Sequence, residues 1–243
     1  MFKPLFAYLL VTHILGDFYL QSETLSKRKE TAFKYVLLHG LIYLLCSVIC
    51  AVPLWSWPLL LTQLYLSASH FLVDSVKFLL TKGKPQNSAV FALDQLIHLL
   101  LIAAASSILV YSEYALMLSP AVSAFTNRIF GQSQTVFIWT GMLLMAYKPA
   151  NIMIKRLLDR YKPAEETPSQ GKNAGAFIGT LERIIMLALL SVGQYSAIGL
   201  VLTAKSVARY NKIAEEKNFA EYYLLGTLLS ALYAIAVYFL FLQ

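Results

Sequence analysis

A chain of 243 residues that is 58% hydrophobic and only 14% charged is not an ordinary soluble domain, and several of its stretches run about 20 residues with few charges, the length of a bilayer-crossing helix. Its net charge of +7 does not point to nucleic acid, because the Lys and Arg residues fall between the apolar stretches, where membrane topology accounts for them. No nucleotide-binding glycine motif, cysteine metal cluster or serine elbow is present.

In chain order, the apolar runs predict an all-α polytopic membrane protein with spans near 4–21, 35–55, 58–80, 89–111, 135–154, 176–193, 195–209 and 222–242. The count falls to seven if the short 195–209 segment does not cross. The first run has only Lys3 before it and carries His13, Asp17 and Gln21, so it reads as a span kept in the mature chain rather than as a signal peptide. Cys46 and Cys50, four apart in the second run, are expected to pack rather than to bridge. Turns are expected at Pro53, Pro58 and Pro85. The 112–134 stretch is too polar to span and suits an interfacial segment. PAEETPSQGKNAG, within a cytoplasmic connection 155–175, reads as a linker.

This division gives a histidine-bearing core at 1–111, built as hairpins 1–55 and 58–111, and C-terminal membrane helices at 135–243. Eight spans put the basic connections (Lys27, Arg28, Lys29 and Lys34; Lys82 and Lys84; Lys155 to Lys172; Arg209, Lys212 and Lys217) on one side. The excess of Lys and Arg marks that side as cytoplasmic, with both termini outside.

All four histidines lie in the first four runs, and three have an aspartate four residues away: His13 with Asp17, His70 with Asp74, and His98 with Asp94. On a regular helix that spacing stacks both side chains on one face. Counted from the span ends at about 1.5 Å per residue, these groups and His39 all lie roughly 6–15 Å inside the cytoplasmic boundary. Gln21, Gln95 and Lys77 fall near the same layer as hydrogen-bonding partners, although snorkelling to the headgroups is the simpler expectation for Lys77. Likewise His39, taken alone, reads first as a packed histidine. The first pair precedes His39 by 26 positions and His70-x3-Asp74 precedes His98 by 28, which suggests a tandem repeat of two hairpins around one polar layer.

A carboxylate in hydrocarbon costs roughly 2.5–3.5 kcal/mol at mid-bilayer, so three of them need partners. Imidazole and carboxylate together suit zinc first, with iron or manganese as further possibilities. The expected metal ligands are His13, Asp17, His39, His70, Asp74, Asp94 and His98, with Asp17, Asp74 and Asp94 as candidate catalytic carboxylates. His–Asp bonding that only fastens helices together is the bland alternative.

LLVTHILGDFYLQ, the lone histidine of VLLHGLIY, SHFLVDSVKF and LDQLIHLL resemble uncharacterised bacterial membrane proteins, the domain of unknown function 3307 family, and GTLERIIMLALLSVGQYSAIGLVLTAKSVARY is similar to their C-terminal part. The resemblance covers roughly 1–110 and 175–210. It implies an all-helical protein of the bacterial inner membrane and brings no activity with it. The motif positions it marks are His13, Asp17, Gln21, His39, His70, Asp74, Asp94, Gln95 and His98, and in the second half Glu182, Arg183, Lys205, Ser206 and Arg209. For the latter group, salt bridging between helices and binding of an anionic headgroup or phosphate are both open.

The leading expectation is an intramembrane metal-dependent hydrolase at the cytoplasmic leaflet, acting on an anionic lipid or phosphorylated substrate. A proton or metal-ion transporter using the same layer is the alternative, weakened by the absence of clearly broken helices in both halves. A non-catalytic scaffold is the third.

Overall fold

The computed structural model describes residues 2–81, 87–114, 117, 119–130, 133–162 and 174–242, and within them every regular element is a helix. The expected turn around Lys82, Lys84 and Pro85, the linker residues 163–173 and Lys172 lie outside the described residues. The chain divides into two compact units, Met1–Gly141 and Met142–Gln243.

In the first unit, α1 (Phe2–Ile14) runs into a π-helical turn over Leu15–Tyr19, closed by the Leu20 amide donating to the Leu15 carbonyl at 2.9 Å. The short α2 (Glu23–Lys29) starts at Ser22, whose hydroxyl accepts from the Leu25 amide. α3 (Phe33–Ala51) ends in a 3₁₀ turn that carries Pro53 and is followed by α4 (Trp57–Thr81). α5 (Ser88–Tyr111) is capped by Asn87, which accepts from the Val90 amide. α6 (Pro120–Phe130) follows within the segment expected to lie at the interface, then α7 (Ser133–Ala146).

α3 packs along α4, and α5 lies against both α1 and α4. The Ser119 amide donates to the Pro53 carbonyl at 2.9 Å, and Ser56 and Tyr114 join their hydroxyls at 2.9 Å, tying the α3–α4 turn to the segment after α5. Both cysteines are free thiols, Cys46 buried.

The second unit begins within α7 and continues through α8 (Lys148–Leu158), α9 (Ala174–Ser191), α10 (Tyr195–Val207), α11 (Tyr210–Glu215) and α12 (Lys217–Leu242). α12 packs against α8 and α9, and α10 against α9. The run expected as one span at 135–154 is interrupted at Tyr147, whose φ of −93° and ψ of −98° are not helical. Pro149 stands in the first turn of α8, where its missing N–H and its ring prevent α7 from continuing unbroken. With the π turn of α1, each unit therefore contains an interrupted helix, contrary to the expectation of continuous ones.

Among the described residues, four helical stretches are long and apolar enough to cross a membrane: Phe33–Leu54, Ser88–Tyr111, Ala174–Ser191 and Lys217–Leu242. α4, at 25 residues, is longer than three of them but more polar. Its polar residues face inward: Gln63, Ser67, His70 and Asp74 are buried, while Leu61, Leu72, Leu79 and Leu80 are exposed. α3 shows the same inversion, with His39 and Ser47 buried and Leu41, Leu45 and Ile49 outside. Polar groups inside and apolar side chains outside are what a helix bundle in lipid requires.

Candidate metal centre

The π turn decides what the first His/Asp pair does. One extra residue in the turn breaks the i,i+4 register, so His13 and Asp17 do not stack as a regular helix would stack them. His13 turns its Nδ1 to the Tyr43 hydroxyl at 3.2 Å, and Asp17 reaches across to α3 and α4. Asp17 Oδ1 lies 3.2 Å from His39 Nε2 and 3.6 Å from His70 Nε2. Asp17, His39 and His70 can each offer one ligand atom such that all three atoms lie within 4.8 Å of one another, close enough for one cation to touch all three. Both imidazoles are buried, and none of their four nitrogens has a hydrogen bond of good geometry. Buried ring nitrogens left in that condition are costly unless something else engages them.

The same register shift brings Gly16 against α3. A Cβ there would lie 2.6 Å from Tyr43 Cδ2, so only glycine lets the Tyr43 ring sit where it does. That ring stacks on His70 with centroids 4.0 Å apart, and His70 in turn stacks on His98 at 4.3 Å.

A second group, Asp74, Asp94 and His98, also brings ligand atoms within 4.8 Å of one another, but two lysines have entered it. Lys77 Nζ sits 2.6 Å from Asp74 Oδ1 and 2.8 Å from Asp94 Oδ1. Lys29 Nζ donates to Asp74 Oδ2 at 2.8 Å and to Gln21 Oε1 at 3.0 Å. The expectation that Lys77 would snorkel is therefore wrong: two carboxylates within reach hold the ammonium more favourably than the headgroups would. The two i,i+4 pairs on regular helix do face each other, His70 Nδ1 at 3.8 Å from Asp74 Oδ2 and His98 Nε2 at 3.7 Å from Asp94 Oδ1.

Gln95 joins the groups, its Nε2 donating to Asp17 Oδ2 at 3.2 Å and to Asp94 Oδ2 at 3.3 Å. All seven histidines and aspartates singled out in the sequence thus meet in the first unit, with Gln21, Gln95 and Lys77 among them. Lys29 and Tyr43 were missed. Lys29 was counted as a loop charge, and its one sequence signal is its place at the end of a short helix beside the polar layer. Tyr43 stands four residues after His39, a helical spacing as regular as the His/Asp one. With the imidazoles neutral, three carboxylates against two ammoniums leave one unbalanced negative charge in the cluster.

In the second unit, Glu182 accepts an ion pair from Lys205 at 2.7 Å. Arg183 is 2% exposed and spends its donors on neutral groups: Nε on the Ala146 carbonyl at 2.8 Å, one terminal nitrogen on Ser230, the other on Asn151 and Thr180. It therefore caps the interrupted end of α7 instead of facing a ligand. The Ser206 hydroxyl donates to the Leu202 carbonyl within its own helix, and the Arg209 guanidinium is exposed over the Tyr223 ring at 5.9 Å.

Exposed apolar side chains over a buried layer of imidazoles, carboxylates and lysines give the first unit an all-helical architecture compatible with membrane insertion around a charged site. Residues 5–125 match the family model described as protein of unknown function (DUF3307), and the chain belongs to that family. No curated protein and no solved structure matched the chain.

Proposed function

We propose that this protein is an intramembrane metal-dependent hydrolase whose metal is held by Asp17, His39 and His70. The observation that carries the reading is the spacing of those atoms. Around a tetrahedral zinc with bonds of about 2.0–2.1 Å, ligand atoms are separated by about 3.3 Å, and Asp17 Oδ1 stands 3.2 and 3.6 Å from the two imidazole nitrogens. Three protein ligands rather than four are the mark of a catalytic site, with a position open to water or substrate. A bound metal would make water a nucleophile at neutral pH. Asp74 is the nearest carboxylate outside the three, its Oδ2 3.6 Å from His39 Nε2, and with Lys29 and Lys77 on its two oxygens it would lend the site negative charge rather than act as a free base.

The expected seven-ligand set thus narrows. His13 is engaged with Tyr43, and Asp74 and Asp94, the latter beside His98, hold Lys77 instead. A divalent ion would turn the cluster's single negative charge into a single positive one, which suits an anionic lipid or phosphorylated substrate. Around this site we read eight spans in a bacterial inner membrane, with basic loops cytoplasmic, both termini outside and the first four helices as tandem hairpins.

Elemental analysis of the full chain, purified in detergent after metal-supplemented expression, tests the proposal. The expected result is near one zinc, iron or manganese per chain, lost in Asp17→Asn and His39→Ala. The same variants should lose metal-dependent phosphate release from a phosphorylated lipid in mixed micelles. A substoichiometric trace of metal in the wild type would remove the reading.

A transporter is the second reading, favoured by the two interrupted helices and by the contact of His13, His98, His70 and His39 as neighbouring rings, 4.3–5.2 Å apart along that series. Ion uptake by proteoliposomes, abolished in Asp74→Asn, would support it over the enzyme.

A further inference from the structure

We infer that Lys77 occupies the position of a second cation, so that the centre takes one metal ion where its side chains would otherwise take two. The inference rests on the metal reading above. Asp74, Asp94 and His98 have the donor types and the spacing of a metal site in their own right, and His98 Nε2 is buried without a hydrogen-bond partner. What stands between the two carboxylates is an ammonium, 2.6 Å from one and 2.8 Å from the other.

Geometry makes the two groups neighbours. Asp74 Oδ2 lies 3.6 Å from His39 Nε2 and 3.8 Å from His70 Nδ1, so His70 presents one nitrogen to Asp17 and the other to Asp74. Such an arrangement resembles the paired-cation clamp in which two metals flank a reacting oxygen, with one of the two metals replaced by a fixed organic charge.

Charge sets the limit on occupancy. Three carboxylates and two lysines sum to one negative charge, and one divalent ion brings the cluster to one positive. A second divalent ion would bring it to three positive charges in a buried site, with both ions also close to an ammonium. Removing Lys77 lowers every one of these sums by one and vacates the space between Asp74 and Asp94. Lys29 cannot replace it, because Lys29 approaches Asp74 from α2 on the other oxygen, Oδ2, and is held there by Gln21.

Zinc is the probe. Full-length wild type, Lys77→Ala and Lys77→Gln are purified in detergent, equilibrated with zinc, dialysed and assayed for zinc per chain and for zinc-induced change in melting temperature. The expected result is that zinc rises from near one per chain in the wild type to near two in the Lys77 variants, and that adding Asp94→Asn returns the count to near one. One zinc in both wild type and variants overturns the inference while leaving the Asp17, His39, His70 reading in place. No zinc in the wild type removes both, whether or not the variants bind one, because the inference requires one ion in the wild type and two without Lys77. Two zincs in the wild type also overturn it, since Lys77 would then exclude nothing. If Lys77→Ala folds only when zinc is supplied, and Asp94→Asn abolishes that rescue, the inference is supported by folding itself; if zinc rescues neither variant, it fails.

Discussion

Tyr43 touches both halves of the problem, holding His13 through its hydroxyl and His70 through its ring, and it can do so only because residue 16 has no Cβ. Gly16→Ala would drive a methyl group into that ring, an overpacking worth about 1–3 kcal/mol. We expect a lower melting temperature by scanning fluorimetry in detergent and a loss of bound metal as His70 shifts. Gly199→Ala is the control: a Cβ there meets nothing within 4 Å, and relieving a helical glycine should leave stability unchanged or raise it by up to about 1 kcal/mol. Tyr43→Phe keeps the stack and removes only the hydroxyl, so it should cost about 1 kcal/mol and retain the metal. The histidines and aspartates were legible in the sequence because ionisable residues are rare in apolar runs. Tyr43 and Lys29 were not, because a tyrosine in an apolar helix and a lysine near its end each have an ordinary explanation that sequence alone cannot displace.

Element by element, the regular parts of the fold were visible and the interruptions were not. Spacing of apolar residues places α3, α5, α9 and α12 to within a few residues, but an i,i+4 rule assumes an unbroken helix, and α1 breaks it between His13 and Asp17. Deleting Leu15 would convert the π turn to regular helix and rotate one flank against the other by about 100°. Circular dichroism should then show unchanged helix content, while bound metal falls to background because Asp17 no longer faces His39. A deletion variant with full metal content would show that the turn does not position the site. The other interruption is held by Arg183, whose fork spans Ala146, Asn151, Thr180 and Ser230. Lysine has no planar fork, so Arg183→Lys should lower stability by at least about 2 kcal/mol, read as a fall in melting temperature.

At the scale of the molecule, hydropathy alone is a poor guide to which helices can cross a membrane when a helix bundle is polar inside. α4 is less apolar than the four stretches above because of Gln63, Ser67, His70, Asp74 and Lys77, yet the first four are buried and Lys77 is drawn in to the carboxylates, so the exposed face of the helix stays apolar. At about 1.5 Å per residue, its 25 residues are long enough to span a hydrocarbon core of about 30 Å. If only the four most apolar stretches cross, Thr24 and Ser112 are separated by two crossings and share a side, while Gln194 lies opposite Ser112. With eight spans, three crossings separate Thr24 from Ser112, and two separate Ser112 from Gln194. Single cysteines at these three positions, in a chain with Cys46 and Cys50 replaced by alanine, therefore distinguish the topologies when intact cells are treated with a membrane-impermeant maleimide. We expect labelling at Ser112→Cys and Gln194→Cys and none at Thr24→Cys until the membrane is opened. Equal labelling at Thr24→Cys and Ser112→Cys would instead place α4 outside the set of crossing helices, and the buried charge cluster would then need a different explanation from a bilayer that cannot solvate it.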